Sequence, residues 1–153
     1  MPTLDFNISD KRFYLRLWNV KKYAQHVIDT VWTHHYEPTV ISLTLTDDPH
    51  IQKLNRKYRH KNKPTNVLSF ETQDDPIPGA PWLAGDIVMS YDTLVREKNE
   101  QHLSFRAHFT HLLIHGTLHL LGYDHQTEKQ AVQMEKLEIK LMQQLGFKNP
   151  YKD

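Results

Sequence analysis

The stretch His115-Gly116-Thr117-Leu118-His119-Leu120-Leu121-Gly122-Tyr123-Asp124-His125 constrains this chain more than any other. Its first two histidines lie four residues apart, at the end of a segment with helical apolar spacing. Four residues bring an α-helix round to within ~40° of its starting direction and ~6 Å further along its axis. Both imidazoles therefore leave one face and can reach one ion. Gly122 follows as a helix stop, because glycine takes the left-handed conformation at little cost. The turn can then carry His125 back over the same point. Three neutral imidazoles make a catalytic type of zinc site with an open fourth position, whereas a closed structural site usually carries thiolates. The chain has no Cys, so a thiolate site is excluded.

His111 complicates the pairing, since His111, His115 and His119 run in steps of four. Only the second pair leads directly into a helix stop and a third His. Of the 11 His in the chain, the stretch from His102 to His125 holds six. This clustering reads as a metal site of one zinc per chain on His115, His119 and His125. His108 and His111 then read as helix-face or ligand-supporting groups. Asp124 adjoins His125 and either orients an imidazole or caps the turn.

The remaining pattern is that of an α+β domain spanning 1–153, with helices packed on a roughly four-stranded mixed sheet. Leu4, Phe6 and Ile8 alternate with polar residues as a half-buried strand does. Val20, Tyr23, Ala24, Val27, Ile28, Val31 and Trp32 form a helical stripe, which Glu37-Pro38 is expected to end. Thr39 to Thr46 reads as a strand. Asp48 with Pro49 reads as a helix cap and first position, with Ile51, Leu54 and Tyr58 behind them. Val67–Phe70 and Gly85–Ser90 read as two more strands, joined by a long loop from Glu71 to Pro81. Ser90 or Asp92 is expected to cap a helix carrying Leu94 and Val95. Ser104 caps the metal helix, whose stripe is Phe105, Phe109, Leu112, Leu113 and Leu120. Thr127 and Gln130 form a capping box for a last helix with Met134, Leu137, Leu141 and Leu145 inward, ended by Gly146.

Net charge is only +1, yet five of the eight residues from Arg56 to Lys63 are Lys or Arg and none is acidic. Arg56, Lys57, Lys61 and Lys63 are candidate phosphate contacts, with Tyr58 or His60 available to stack on a base. A solvated helix end would also carry such cations. The N-terminus has no basic apolar leader and no segment is long enough to span a membrane, so a cytoplasmic protein without a membrane partner is expected.

His115, His119, Gly122 and His125 share the ligand frame of the metzincin proteases, but Gly116 stands where those enzymes have their general-base Glu. The metal frame is kept and the peptidase mechanism is lost. The eleven-residue stretch instead resembles the signature of the YbeY endoribonuclease family. Tyr58-Arg59, followed by Pro64-Thr65-Asn66-Val67-Leu68-Ser69-Phe70, is similar to a second segment of that family. Gly85-Asp86-Ile87-Val88-Met89-Ser90 is similar to a third. Asn66 replaces the family's usual Asp, and Glu71 a commoner Pro.

The resemblance implies a zinc-dependent, single-strand-specific endoribonuclease that matures the 3′ end of small-subunit (16S) ribosomal RNA and serves ribosome quality control. It carries zinc ligation onto His115, His119 and His125 and an activity-critical role onto Arg59. It implies ribosomal RNA, the small ribosomal subunit and an assembly GTPase as partners. Arg59 can set a planar fork of donors on phosphate oxygens as charge develops. No general base stands out, and either water or a ribose 2′-hydroxyl can be the nucleophile. Two alternatives remain open at this level: a metzincin-like peptidase or hydrolase, and a non-catalytic RNA-binding assembly factor with structural zinc.

Overall fold

The computed structural model describes residues 1–33 and 36–151. Four strands form one sheet in the order β1-β2-β4-β3, with β1 Thr3–Ile8, β2 Thr39–Thr46, β3 Val67–Glu71 and β4 Trp82–Ser90. β1, β2 and β4 are parallel, and β3 runs antiparallel to β4. β3 is thus an edge strand of the sheet. Among the described residues five α-helices accompany the sheet: α1 Val20–Val31, α2 Asp48–Arg59, α3 Tyr91–Glu100, α4 Phe105–Leu120 and α5 Glu128–Gln144. The expected α+β arrangement on a mixed four-stranded sheet is the one observed.

Helix α4 is the centre of the packing. Ser104 caps it by accepting from the Ala107 N–H at 3.1 Å. The expected five-residue stripe understates its burial: eleven of its sixteen residues are buried, including His108, Thr110, Gly116 and Thr117. A helix enclosed on most sides lies inside a fold rather than on its surface. It touches α1, α3, α5, β3 and β4. At its start, Phe105 and Phe109 meet Phe13 from a short 3₁₀ turn, Lys11–Leu15. Its other end carries His115 and His119 to the open side of β3.

Several element ends and caps differ in detail from expectation. α1 stops at Val31, well before Glu37-Pro38, because Trp32 is extended once the buried stripe has run out. Asp47, not Asp48, caps α2, accepting from the His50 N–H at 3.0 Å. Asp48 is drawn away by Ser90 and Thr93, whose hydroxyls both donate to its Oδ1 at 2.6 Å. Ser90 is the N-cap residue of α3 but makes no side-chain cap bond, and Asp92 instead accepts from Arg12 and the Asp48 N–H. β3 includes Glu71, and β4 begins at Trp82, whose N–H donates to the Pro38 carbonyl at 2.9 Å. The connecting loop is correspondingly shorter than the expected 71–81.

The Thr127–Gln130 capping box is present in both directions. Among the described residues no helix is long and apolar enough to cross a membrane.

Candidate metal centre

Gly122 leaves α4 with φ +96°, the left-handed turn a glycine was expected to make. That turn returns His125 to the pair on the helix. One nitrogen each from His115, His119 and His125 lies within 4.8 Å of the others. The ring centroids are 4.6 to 5.6 Å apart. His115 and His119 are half-buried, and His125 is exposed.

The hydrogen bonds fix which nitrogens converge. His119 Nδ1 is 2.9 Å from the Tyr123 carbonyl, which can only accept. His115 Nδ1 is 2.9 Å from Glu138 Oε1, a carboxylate. With both rings neutral, each Nδ1 keeps its proton and each Nε2 presents a lone pair. The two Nε2 atoms stand 3.1 Å apart. Two such lone pairs repel unless a cation lies between them. Two nitrogen ligands about 2 Å from one tetrahedral ion are ~3.3 Å apart, so the pair fits a shared metal. Burial, followed by the charge of His115, lowers the pKa of His119 and favours its neutral form. The histidine group can therefore hold a metal ion.

His111 does not join this group. Its Nε2 is 3.1 Å from Glu138 Oε1 and 3.2 Å from the Tyr151 hydroxyl. Asp124 caps the turn: its Oδ1 accepts from the His125 N–H at 2.8 Å. His108 is buried against Glu97 at 2.9 Å, and Glu97 also accepts from Asn66 at 3.0 Å. Asn66 thus lies at the junction before β3, and its amide donates toward a carboxylate where an Asp would repel it.

Glu138 and Tyr151 escaped the sequence reading. Glu138 is 1% exposed and accepts from His115, His111 and, through Oε2, the Tyr151 hydroxyl at 2.6 Å. Burial alone would raise its pKa, but these hydrogen bonds prevail and hold it at about 2. The available sign was a carboxylate four residues after Met134, on the inward stripe of α5.

A groove of about 1000 Å³ opens in front of the histidines. Its opposite wall is β3 together with Arg59, Lys61 and Lys63. His60 ends α2 in the left-handed conformation, and buried Asn55 donates to the Lys63 carbonyl at 2.9 Å. Those two features turn the 61–63 segment into the groove. Arg59 donates to the Ser69 carbonyl at 2.8 Å and lies 4.9 Å from the centre of the Phe70 ring. Asn66 and Thr72 bond to β4, so Val67, Ser69 and Glu71 turn their backbone groups to the open edge. Arg56 and Lys57 do not line the groove, and the Lys57 ammonium sits 5.1 Å from the Tyr58 ring centre. Tyr58, half-exposed, meets Phe70 edge-on at 5.3 Å.

The family model described as Endoribonuclease YbeY matches residues 5–146. A Magnetococcus marinus protein of that name is 50% identical over 123 residues, 74% of this chain and 84% of the relative. A Coxiella burnetii protein of the same name is 41% identical over 138 residues, 90% of this chain and 89% of the relative. The solution structure of a Thermotoga maritima protein superposes with a TM-score of 0.56 at 19% identity, covering 99% of this chain and all of that one.

Proposed function

The chain belongs to the YbeY endoribonuclease family, and from that membership we propose that it is a zinc-dependent, single-strand-specific endoribonuclease whose ion sits on His115, His119 and His125. The family makes it an RNA-cleaving hydrolase. The observation that carries the finer reading is one groove with three convergent imidazole nitrogens on one wall and Arg59 on the other. Single-stranded substrate suits this groove, because one strand can enter where a duplex would have to be opened.

When bound, zinc supplies Lewis acidity toward phosphate oxygens and toward water. The protein's own part is positioning and charge. Lys61 and Lys63 attract the backbone without reading its sequence. Arg59, already oriented by Ser69, offers its remaining N–H donors to a phosphate facing the histidines. A planar fork of that kind favours the more highly charged transition state. Arg56 and Lys57 lie outside the groove and would act only on RNA that extends beyond it.

Within the cell, we assign the protein to 3′-end maturation of small-subunit ribosomal RNA and to ribosome quality control in the cytoplasm. The partners would be the small subunit and an assembly GTPase. A single domain over 1–153 would carry these roles, although residues 34, 35, 152 and 153 lie outside the described structure.

The test uses purified protein with end-labelled single-stranded RNA, duplex RNA and a casein-type peptide, with chelator and with zinc returned. Cleavage of single-stranded RNA alone, lost on chelation and restored by zinc, is expected. Chelator-resistant cleavage would overturn the metal role, and peptide hydrolysis would restore the peptidase alternative.

A further inference from the structure

We propose that Glu138 and Tyr151 together form the outer support of the metal centre, so that docking of the segment after Gly146 sets how tightly the ion is held. This rests on the reading that the three histidines bind a divalent metal.

Glu138 occupies a core position. Its neighbours on the inward side of α5 are Met134, Leu141 and Met142, all buried. Placing a carboxylate there costs free energy unless hydrogen bonds and opposite charge offset it. Among the described residues no Lys or Arg is one of its bonding partners. It takes its hydrogen bonds from two imidazoles and a phenol. The positive charge missing from this arrangement would come from an ion on the far side of His115. Carboxylate, imidazole and metal in line is a recurring support that fixes ring orientation and tautomer.

The donors specify that line. The Tyr151 hydroxyl has one proton, and at 2.6 Å it belongs to Glu138 Oε2. The phenol oxygen is then an acceptor for His111 Nε2, 3.2 Å away. His111 shares its proton between this oxygen and Glu138 Oε1. His115 must consequently bring its Nδ1 proton to Oε1, which leaves Nε2 bare toward His119. Tyr151 also stands edge-on to His111, with 5.2 Å between ring centres, so it restrains that imidazole directly and His115 through Glu138.

Tyr151 reaches this place through a shaped return of the chain. Gly146 turns with φ +91°, and the Phe147 N–H donates to the Met142 carbonyl at 2.9 Å. Asn149 Oδ1 accepts from the Tyr151 N–H at 2.8 Å. These contacts fold the segment back onto α5. The tail thereby closes over a carboxylate that lies one imidazole away from the ion.

The experiment measures metal affinity rather than turnover. Full-length wild type, Glu138→Gln and Tyr151→Phe are titrated with zinc against a chromophoric chelator, and each is loaded with cobalt for its visible ligand-field spectrum. Tyr151→Phe removes one oxygen from a half-exposed ring, so it tests the idea even if Glu138→Gln folds poorly. Glu138→Gln is expected to weaken zinc ~10–100-fold, the usual loss when an outer partner of a ligand is altered. Tyr151→Phe should weaken zinc several-fold and shift the cobalt bands while the metal-free protein melts as wild type does. Wild-type affinity and spectrum in Tyr151→Phe would overturn the proposal, even if its melting temperature fell. Stoichiometric metal in wild type with chelator-sensitive cleavage keeps the metal reading intact whatever the variants do. Wild type that takes up no metal would remove that reading and this one together.

Discussion

Ser69 Oγ donates to the carbonyl oxygen of Gly116 at 3.3 Å, so strand β3 and helix α4 meet at the residue between the first two histidines. A Cβ added to Gly116 would lie 3.0 Å from that Oγ and 3.2 Å from Ile87 Cγ2. Position 116 therefore faces the sheet, not the groove. The missing metzincin glutamate could not be restored by a simple exchange.

Gly116→Glu is thus expected to destabilise the fold without creating peptidase activity. Gly116→Ala should be far milder, because its small overpacking penalty is opposed by the ~1 kcal/mol that Ala gains over Gly inside a helix. Denaturant melts of both variants, with a peptide-cleavage assay on Gly116→Glu, check this. A stable Gly116→Glu that hydrolyses casein would contradict the assignment.

Much of this arrangement was legible in the residues, and the reasons are local. His115, His119, Gly122 and His125 could be placed because helix period and glycine conformation act over a few residues. The Thr127–Gln130 box was readable for the same reason. Glu138 was not, since its meaning depends on α5 packing beside α4, a contact between residues 23 positions apart. Asp48 was misread as a cap because local chemistry allowed it, while Ser90 and Thr93 from distant sequence claimed its carboxylate. The burial of α4 was understated partly because His108, Thr110 and Thr117 are polar, although His108 Nε2 meets Glu97 and the two threonine hydroxyls donate to carbonyls of the helix itself.

Leu113 is fully buried in the main core on α4. Leu113→Ala should lower stability by ~2–5 kcal/mol, combining lost transfer energy with the cavity left behind. Equilibrium unfolding in urea measures it. An unchanged midpoint would mean that this face of the helix is not core.

His119→Ala should leave the protein nearly free of zinc, against about one ion per chain in wild type. Elemental analysis after exhaustive desalting makes the comparison. Because His111 Nε2 faces Glu138 and Tyr151, it is not placed to take over. Full zinc in His119→Ala would overturn the ligand assignment and promote His111.

Asp48 ties α2 to α3 through Ser90, Thr93 and Arg96. Burial raises its pKa, but those three partners prevail and leave it below the ordinary 3.8. A carboxyl whose folded pKa is depressed stabilises the fold above its unfolded pKa and loses that contribution as pH falls through the folded value. Asp48→Asn should therefore cost ~1–3 kcal/mol near neutral pH, and its deficit should shrink at an acidic pH well below the ordinary 3.8, as the wild-type group protonates. Urea melts at both pH values test this. An equal deficit at each would show that the effect is not the charge.

Arg59 is expected to act in the chemical step, whereas Lys61 and Lys63 govern affinity. The separation follows from how each is held. Arg59 is oriented by the Ser69 carbonyl and the Phe70 ring, so its free donors keep a fixed direction across the groove. Lys61 and Lys63 are exposed and meet the backbone as mobile point charges. A donor matched to the transition state lowers the rate when removed and leaves ground-state binding largely intact. A phosphate contact instead weakens binding and reduces its salt dependence, by a slope of about 0.7 per contact on a single strand. Arg59→Lys keeps the charge but loses the fork. It should lower the single-turnover rate by ~10²–10³-fold, as removal of a donor to developing charge does, with zinc content and melting temperature unchanged. Lys61→Ala should weaken RNA binding and flatten its salt dependence while leaving the saturated rate near wild type. The comparison needs one single-stranded substrate, single-turnover rates at saturating enzyme, and affinities across a salt series. A wild-type rate in Arg59→Lys would make the residue dispensable for chemistry. Loss of zinc or of folding in that variant would make its role structural.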